Sequence, residues 1–361
     1  MAHVITNEFY KDAWGTEEMR HVFSARTRYQ RWLGVLAALA RVQARLGIIP
    51  QGACDEINRK AKLEFIDLDA VKQHLTAASH TFVPLLKGLE HACENGAGEF
   101  LHFGTCTQDI QDTAVSLELM DADAILSRDL LRTEKLLIKL SQEHKNLTMA
   151  ARADGRPLGK TTLGLKMADW LAEVRRDIAR MKDMRKYIFV GLIHSSTGTM
   201  SGLVAANGDD DQAFAVMEGV MEELGLNPPT IGWSGIRDNF GHFMSVLGLL
   251  AGTLGRIANE IDRLSRPEIA ELRQPENADS ARATATLCQI AINNVPLGLQ
   301  AMISEHERDT RSWRMDWHHI SETSILVAKA LDSTNALLEG LEPREDRIIE
   351  NLKSTMTGDP V

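Results

Sequence analysis

Residues 99–114 read Glu-Phe-Leu-His-Phe-Gly-Thr-Cys-Thr-Gln-Asp-Ile-Gln-Asp-Thr-Ala. This polar cluster stands at the head of a long amphipathic run. Over 113–149, Leu126, Leu130, Leu137 and Leu140 recur by threes and fours, which predicts a very long helix. Gly104 lets the backbone turn, and Asp109 or Asp112 is placed to cap the helix. Thr105, Thr107 and Gln108 offer hydroxyl and amide donors that suit a carboxylate. On its own, the stretch is equally an ordinary polar helix start with a His nearby.

Outward from it, helical periodicity dominates. Residues 26–46 carry Trp32, Leu33, Leu36, Leu39 and Leu46 on one broad face, and 161–190, 238–265, 281–303 and 321–341 are further long helical runs. Strand signals are scarce, with aromatics at 5%. Helices this long and this apolar must be buried by one another, so the expected fold is all-α. It divides into a small N-terminal helical domain over 1–110 and an elongated long-helix bundle over 111–341, with no internal repeat. Small residues recur at 245–258 and 281–292, permitting close helix approach.

The chain has 361 residues, 44% hydrophobic and 25% charged, as expected of a soluble globular protein with a large core. No run reads as apolar enough to span a bilayer, and no basic-then-apolar leader opens the chain. A net charge of −10 disfavours nonspecific nucleic-acid binding. Cys54, Cys93, Cys106 and Cys288 are scattered, which suits a reducing cytoplasm and argues against a zinc site.

Six segments in order carry a resemblance: SHTFVPLLKGLE (79–90), HFGTCTQDIQDTA (102–114), ARADGRPLGKTTLGLKMADWLAEVRR (151–176), SSTGTMSGL (195–203), GWSGIRDNFGHF (232–243) and SEHERDTRSWRMDW (304–317). Together they resemble the signatures of the fumarase/aspartase superfamily, near its adenylosuccinate lyase and carboxy-muconate cycloisomerase branch. The resemblance implies a homotetramer with a shared central bundle and active sites drawn from three chains. It also implies a small dicarboxylate-type substrate, and neither cofactor nor metal. Residues 342–361 would begin a C-terminal domain that is otherwise missing.

The implied reaction is a β-elimination releasing fumarate, or a cyclisation related to its reverse. A base removes a proton beside a carboxylate, donors stabilise the resulting dianion, and an acid serves the leaving group. Thr105, Thr107 and Gln108 match the carboxylate-binding motif. His102 and His80 match active-site histidines, while Arg237, Lys166, Ser196 and Arg308 match substrate-binding positions. For Arg237 the alternative is an internal ion pair, since an Arg fork suits either partner. Cys106 stands where relatives carry Thr or Ser, and no nucleophilic role is expected of it.

Two departures stand out. The Thr-His-Gly-Gln of the succinyl-amine lyases reads Ala153-Asp154-Gly155-Arg156 here, so Asp154 occupies the position of a proposed acid. An Asp serves as one only if its pKa is raised, which Arg156 opposes. The Gly-Ser-Ser loop that carries the superfamily's serine base should follow RPEIAEL (266–272), yet the chain runs on directly into Arg273-Gln274-Pro275. The expectation is therefore a break between Leu272 and Arg273, where a mobile loop was lost; continuous geometry would remove the serine base. The leading function is cleavage of a succinyl-substituted amine. The alternatives are a muconate cycloisomerase and a non-catalytic tetrameric scaffold.

Overall fold

The computed structural model describes residues 3–78, 80–207 and 209–356. Five long helices run back and forth to form the bundle: α3 (Thr107–Glu143), α4 (Leu163–Ile188), α6 (Asp238–Ser265), α7 (Ala281–Ala301) and α8 (Thr310–Glu339). Before them lie α1 (Ala25–Arg45) and α2 (Val83–Ala92), between α4 and α6 lies α5 (Asp210–Leu224), and α9 (Glu345–Met356) follows.

The seam of α6 explains the architecture. Phe240, Phe243, Leu247, Leu250, Leu254, Ile257, Ile261 and Leu264 alternate by threes and fours, and each is at most 1% exposed. This is the knobs-into-holes spacing of packed parallel or antiparallel helices. Truncating one such Leu to Ala costs about 2–5 kcal/mol. By length and composition α6 also suffices to cross a membrane, with a mean hydropathy of 1.2 over 18 residues. That corrects the expectation that no run is apolar enough. In this fold α6 instead packs against α4, α7 and α8 as the central strut.

Local chemistry sets the helix ends. Ser280 Oγ accepts from Ala283 N at 3.1 Å to cap α7, and Thr162 Oγ1 accepts from Leu165 N at 3.1 Å to cap α4, the usual hydroxyl N-cap. The expected helix over 113–149 begins earlier and ends sooner. After Glu143 the chain enters a hairpin, β1 (Thr148–Ala153) and β2 (Arg156–Thr162). Asp154 (φ 50°) and Gly155 (φ 77°) form its turn. Asp-Gly with both φ positive is the signature of a tight hairpin turn, and it lay in the sequence unread.

The N-terminal part shares its core with the bundle. Trp32, Leu33 and Leu36 of α1 cluster with Phe82, Leu85 and Leu89, and with Ile110 and Ala114 of α3. Arg28 forks onto the buried carboxylate of Glu118 at 2.8 and 2.7 Å.

The expected break does not exist. Leu272–Arg273 is a strand, β3, paired antiparallel with β4 (Glu342–Pro343). The chain passes through it from α6 to α7 without interruption. Glu271, fully buried, takes a fork from Arg152 at 2.5 and 2.9 Å and a further bond from Asn351 at 2.9 Å. The segment between α6 and α7 is thus a tied-down node.

Candidate active site

The first three turns of α3 are polar on almost every face and yet buried. Polar groups taken from water must find partners, and here each residue clamps a different segment. Gln108 Nε2 donates to Asp112 Oδ2 (2.9 Å) and to the Ser234 carbonyl (2.8 Å). Asp109 accepts from the backbone N–H groups of Cys106 (2.8 Å), His194 (3.1 Å) and Ser195 (3.0 Å). Burial pushes its carboxyl up to about 7, against those three bonds. Gln111 Nε2 donates to Thr81 Oγ1 at 3.0 Å, which sets the loop carrying His80. Thr113 and Ser116 hydroxyls donate to the Leu192 and Val190 carbonyls, at 2.9 and 2.8 Å.

Two of the clamped loops meet at bare backbone. Gly104 has φ 78°, and a Cβ there would lie 3.0 Å from Leu203 Cα; one on Gly202 would lie 2.7 Å from the Gly104 carbonyl oxygen. Only glycine permits both the conformation and the approach. Ser195 Oγ donates to the Gly104 carbonyl at 2.8 Å and completes the contact.

His80, His102, Thr105, Thr107 and Arg308 gather around this hub. His80 Nδ1 accepts from the N–H of Phe82 (3.2 Å) and of Val83 (3.3 Å) at the start of α2. An acceptor nitrogen carries no proton, so the neutral ring bears its hydrogen on Nε2. Burial, then the Arg308 charge, lowers the His80 pKa and keeps the ring neutral. His102 lies in the left-handed region at φ 59°, and its Nε2 is buried without a partner. Burial chiefly lowers its pKa, with a smaller contribution from His80. Thr105 Oγ1 donates to the His102 carbonyl at 3.1 Å. Thr107, the first residue of α3, is only half-buried, and its hydroxyl makes no hydrogen bond among the described residues. Burial pushes the Cys106 thiol up to about 12, leaving it inert at neutral pH.

Arg308 is exposed, and its Nε donates to Gln108 Oε1 at 2.9 Å. Its two terminal nitrogens make no hydrogen bond among the described residues and are free to bind an anion. Arg237 is the opposite case and corrects its assignment as a substrate contact. It is 2% exposed. It binds Asp112 at 2.6 and 3.2 Å and Asp316 at 2.6 and 2.8 Å, not its sequence neighbour Asp238. His319 Nε2 lies 3.0 Å from the other Asp316 oxygen. The internal ion pair is the alternative that holds. Gln108 is corrected likewise: both its amide hydrogens are engaged inside the protein, leaving no donor for a substrate carboxylate.

The remaining expected residues fall elsewhere. Ser196 is exposed in the loop that Asp109 clamps. Lys166, in the first turn of α4, pairs with Glu260 at 2.6 Å. Asp154 stands exposed at the hairpin tip. The 37 residues of α3 separate that hairpin from the His80 cluster, about 55 Å at 1.5 Å per residue. One chain cannot bring Asp154 and Lys166 to His102. The sequence reading placed Asp109 and Asp112 only as helix caps, a role Asp109 does fill through Cys106 N, and it missed Gln111, Asp316 and His194. The available signal was a helix start polar all round, which a surface helix does not need. Between Leu272 and α7 the chain carries no Gly-Ser-Ser run, and its one serine there, Ser280, caps α7, so the standard serine base has no counterpart in this segment. Among the described residues, no group of three His, Cys, Asp or Glu is placed to hold a metal.

A long-helix bundle with these signature loops at its ends defines the fumarase/aspartase class of lyases. Residues 13–281 match the Lyase family model, and the chain belongs to that family. It is 32% identical to the N-acetyl-S-(2-succino)cysteine lyase of Enterococcus italicus, over 98% of this chain and 79% of that protein. It is 34% identical to the adenylosuccinate lyase of Methanocaldococcus jannaschii, over 95% and 76%. The crystal structure of the 3-carboxy-cis,cis-muconate lactonizing enzyme from Pseudomonas putida superposes with a TM-score of 0.90 at 29% identity, covering 97% of this chain and 80% of that one. The alignment to the succinocysteine lyase runs over 367 positions, more than the 361 residues of the chain, so at least 6 positions of that relative have no counterpart here.

Proposed function

We propose that the protein cleaves a succinyl-substituted substrate by β-elimination and releases fumarate. The carrying observation is Arg308, held by Gln108 with two donor groups turned free beside neutral His80. Arg308 and Thr107 grip a substrate carboxylate, and the Nε2–H of His80 adds a third donor aimed at the developing charge. His102 is the base: it is neutral, and its Nε2 is uncommitted within the site. Asp154 reaches the leaving group from a second copy of the chain, in a homotetramer whose sites are shared. The length of α3, about 55 Å, standing between the two within one chain supports that assembly. So do Leu249, Ile292 and Leu299, 51%, 40% and 48% exposed on α6 and α7.

The resemblance puts an amine first as leaving group, and the relatives above include both a thioether and an amine case. Purified protein is to be given adenylosuccinate, an S-(2-succino)cysteine derivative and a carboxy-muconate. Fumarate absorbance rising with either of the first two supports the reading and names the leaving atom; loss of muconate absorbance alone replaces it with a cycloisomerase. A second reading, a tetramer that binds dicarboxylates without turnover, is favoured by one observation, the direct closure of β3 on β4 where a base-bearing loop would stand. Binding of succinate with no turnover of any of the three substrates would establish it.

A further inference from the structure

We propose that Gln108 is a positioning residue: it fixes Arg308 for substrate and never touches substrate itself. This deepens the dicarboxylate-site reading above and rests on it. Gln108 is 3% exposed, and both its amide hydrogens are engaged. One hydrogen goes to Asp112, the other to the Ser234 carbonyl, and the oxygen receives Arg308 Nε. An amide has two donors, and both are used here, so a bond to a substrate carboxylate would require breaking one of them. The acceptor of the Asp112 bond is itself immobile. Asp112 Oδ2 also takes Arg237 Nη1 at 2.6 Å, and Arg237 is locked to Asp316.

The buried cluster Asp112–Arg237–Asp316 therefore fixes the amide, and the amide fixes the guanidinium. An exposed Arg on a loop loses considerable rotamer freedom when it binds. Holding its Nε in advance removes part of that loss, leaving the two terminal nitrogens presented as a preorganised fork. The amide orientation follows from the network: a flipped Gln108 would turn its NH2 toward the Arg308 donor and its oxygen toward an Asp112 oxygen and a carbonyl.

The test is a double-mutant cycle on succinate binding, read by calorimetry so that turnover is not required. Gln108→Met keeps the side-chain volume and removes the amide. It is expected to weaken succinate binding about tenfold in the wild-type background, the order of one hydrogen bond to a charged group. In an Arg308→Ala background the same change should weaken it less than about twofold, because the residue through which it acts is gone. Equal losses in both backgrounds, or no loss in either, overturn the proposal while leaving the dicarboxylate site standing. Failure of the wild type to bind succinate overturns both. Should Gln108→Met not fold, the wild type serves, read by NMR: the Arg308 Nε–H, bonded to Gln108, should exchange with solvent more slowly than the Arg308 terminal hydrogens both before and after succinate is added. Equal exchange of the two in the free protein would sink the idea.

Discussion

The two ends of α3 both hold a buried Arg–carboxylate node, but they use it differently. At the Thr107 end, Arg237 sits between two aspartates inside the protein, and nearly every polar side chain around it clamps backbone or another side chain. At the hairpin end, Arg152 and Glu271 join β1, β3 and α9, while the tip beyond them stands in solvent, with Leu158 75% exposed. The first end is a finished interior with a few donors left over. The second is a rigid base under an unfinished surface. Rigid scaffolding beneath loose functional groups is how a site keeps its geometry, and the shared site proposed above would draw its two halves from opposite ends of α3.

The largest expected effect separates the two nodes by stability. Arg237→Leu leaves two buried aspartates without their partner and should cost about 3–5 kcal/mol. Arg152→Leu leaves Glu271 with Asn351 and a part-exposed surface nearby, and should cost about 1–3 kcal/mol. Urea unfolding midpoints measure both; the reverse order would break the comparison. Next, Thr107→Ala should lower turnover by roughly 30- to 1000-fold, a transition-state loss of about 2–4 kcal/mol for one donor on a developing oxyanion, with the assembly intact by light scattering. An unchanged rate on the true substrate would remove Thr107 from the site.

A third measurement tests whether the ends meet between chains. Thr107→Ala and Asp154→Asn proteins, each impaired alone, should regain activity when dissociated and reassembled together, since some sites then receive two intact halves. No recovery would mean that the hairpin end takes no part in the chemistry.

The smallest effect is in pH. His80, His102 and His194 have pKa values lowered by burial, so the unfolded chain binds more protons than the folded one just below the ordinary value of 6.5. Their contribution to stability is full above 6.5 and is lost as pH falls through the folded values. Asp109, raised from 3.8 to about 7, acts oppositely: the folded state binds the extra proton, and stability falls as pH rises from about 4 to 7. Unfolding curves from pH 5 to 8 should therefore show a weak net trend. His102→Asn should tilt that trend toward the Asp109 direction, and Asp109→Asn toward the histidine direction. Neither variant changing the slope would mean that the Thr107 end does not govern it.

Much of the fold was legible. The a/d seam of α6 and the Leu spacing of α3 are periodic in sequence, and periodicity is what a helix buries. The hairpin was missed because a helical spacing was carried past Glu143 into Thr148–Ala153, although Asp154-Gly155 announces a turn. The site was legible in residue type more than in role. Gln108 and Arg237 were read as ligand contacts because an amide and a guanidinium suit a carboxylate; the carboxylates they found were Asp112 and Asp316. Asp316 lies 204 positions from Asp112, and no local pattern pairs them.

The sequence by itself determined the helices, their capping residues, the polar head of α3 and the family. These follow from interactions within a few residues, or from ordered motifs that need no coordinates. Only the tertiary structure decided which polar groups are already satisfied, because hydrogen-bond saturation depends on partners brought together from distant segments. That is why Arg308, Thr107 and His80 remain available to a ligand while Gln108 and Arg237 do not. It is also why Leu272–Arg273, read as a gap in the chain, is a paired strand: its partner Glu342–Pro343 returns from the far side of α8.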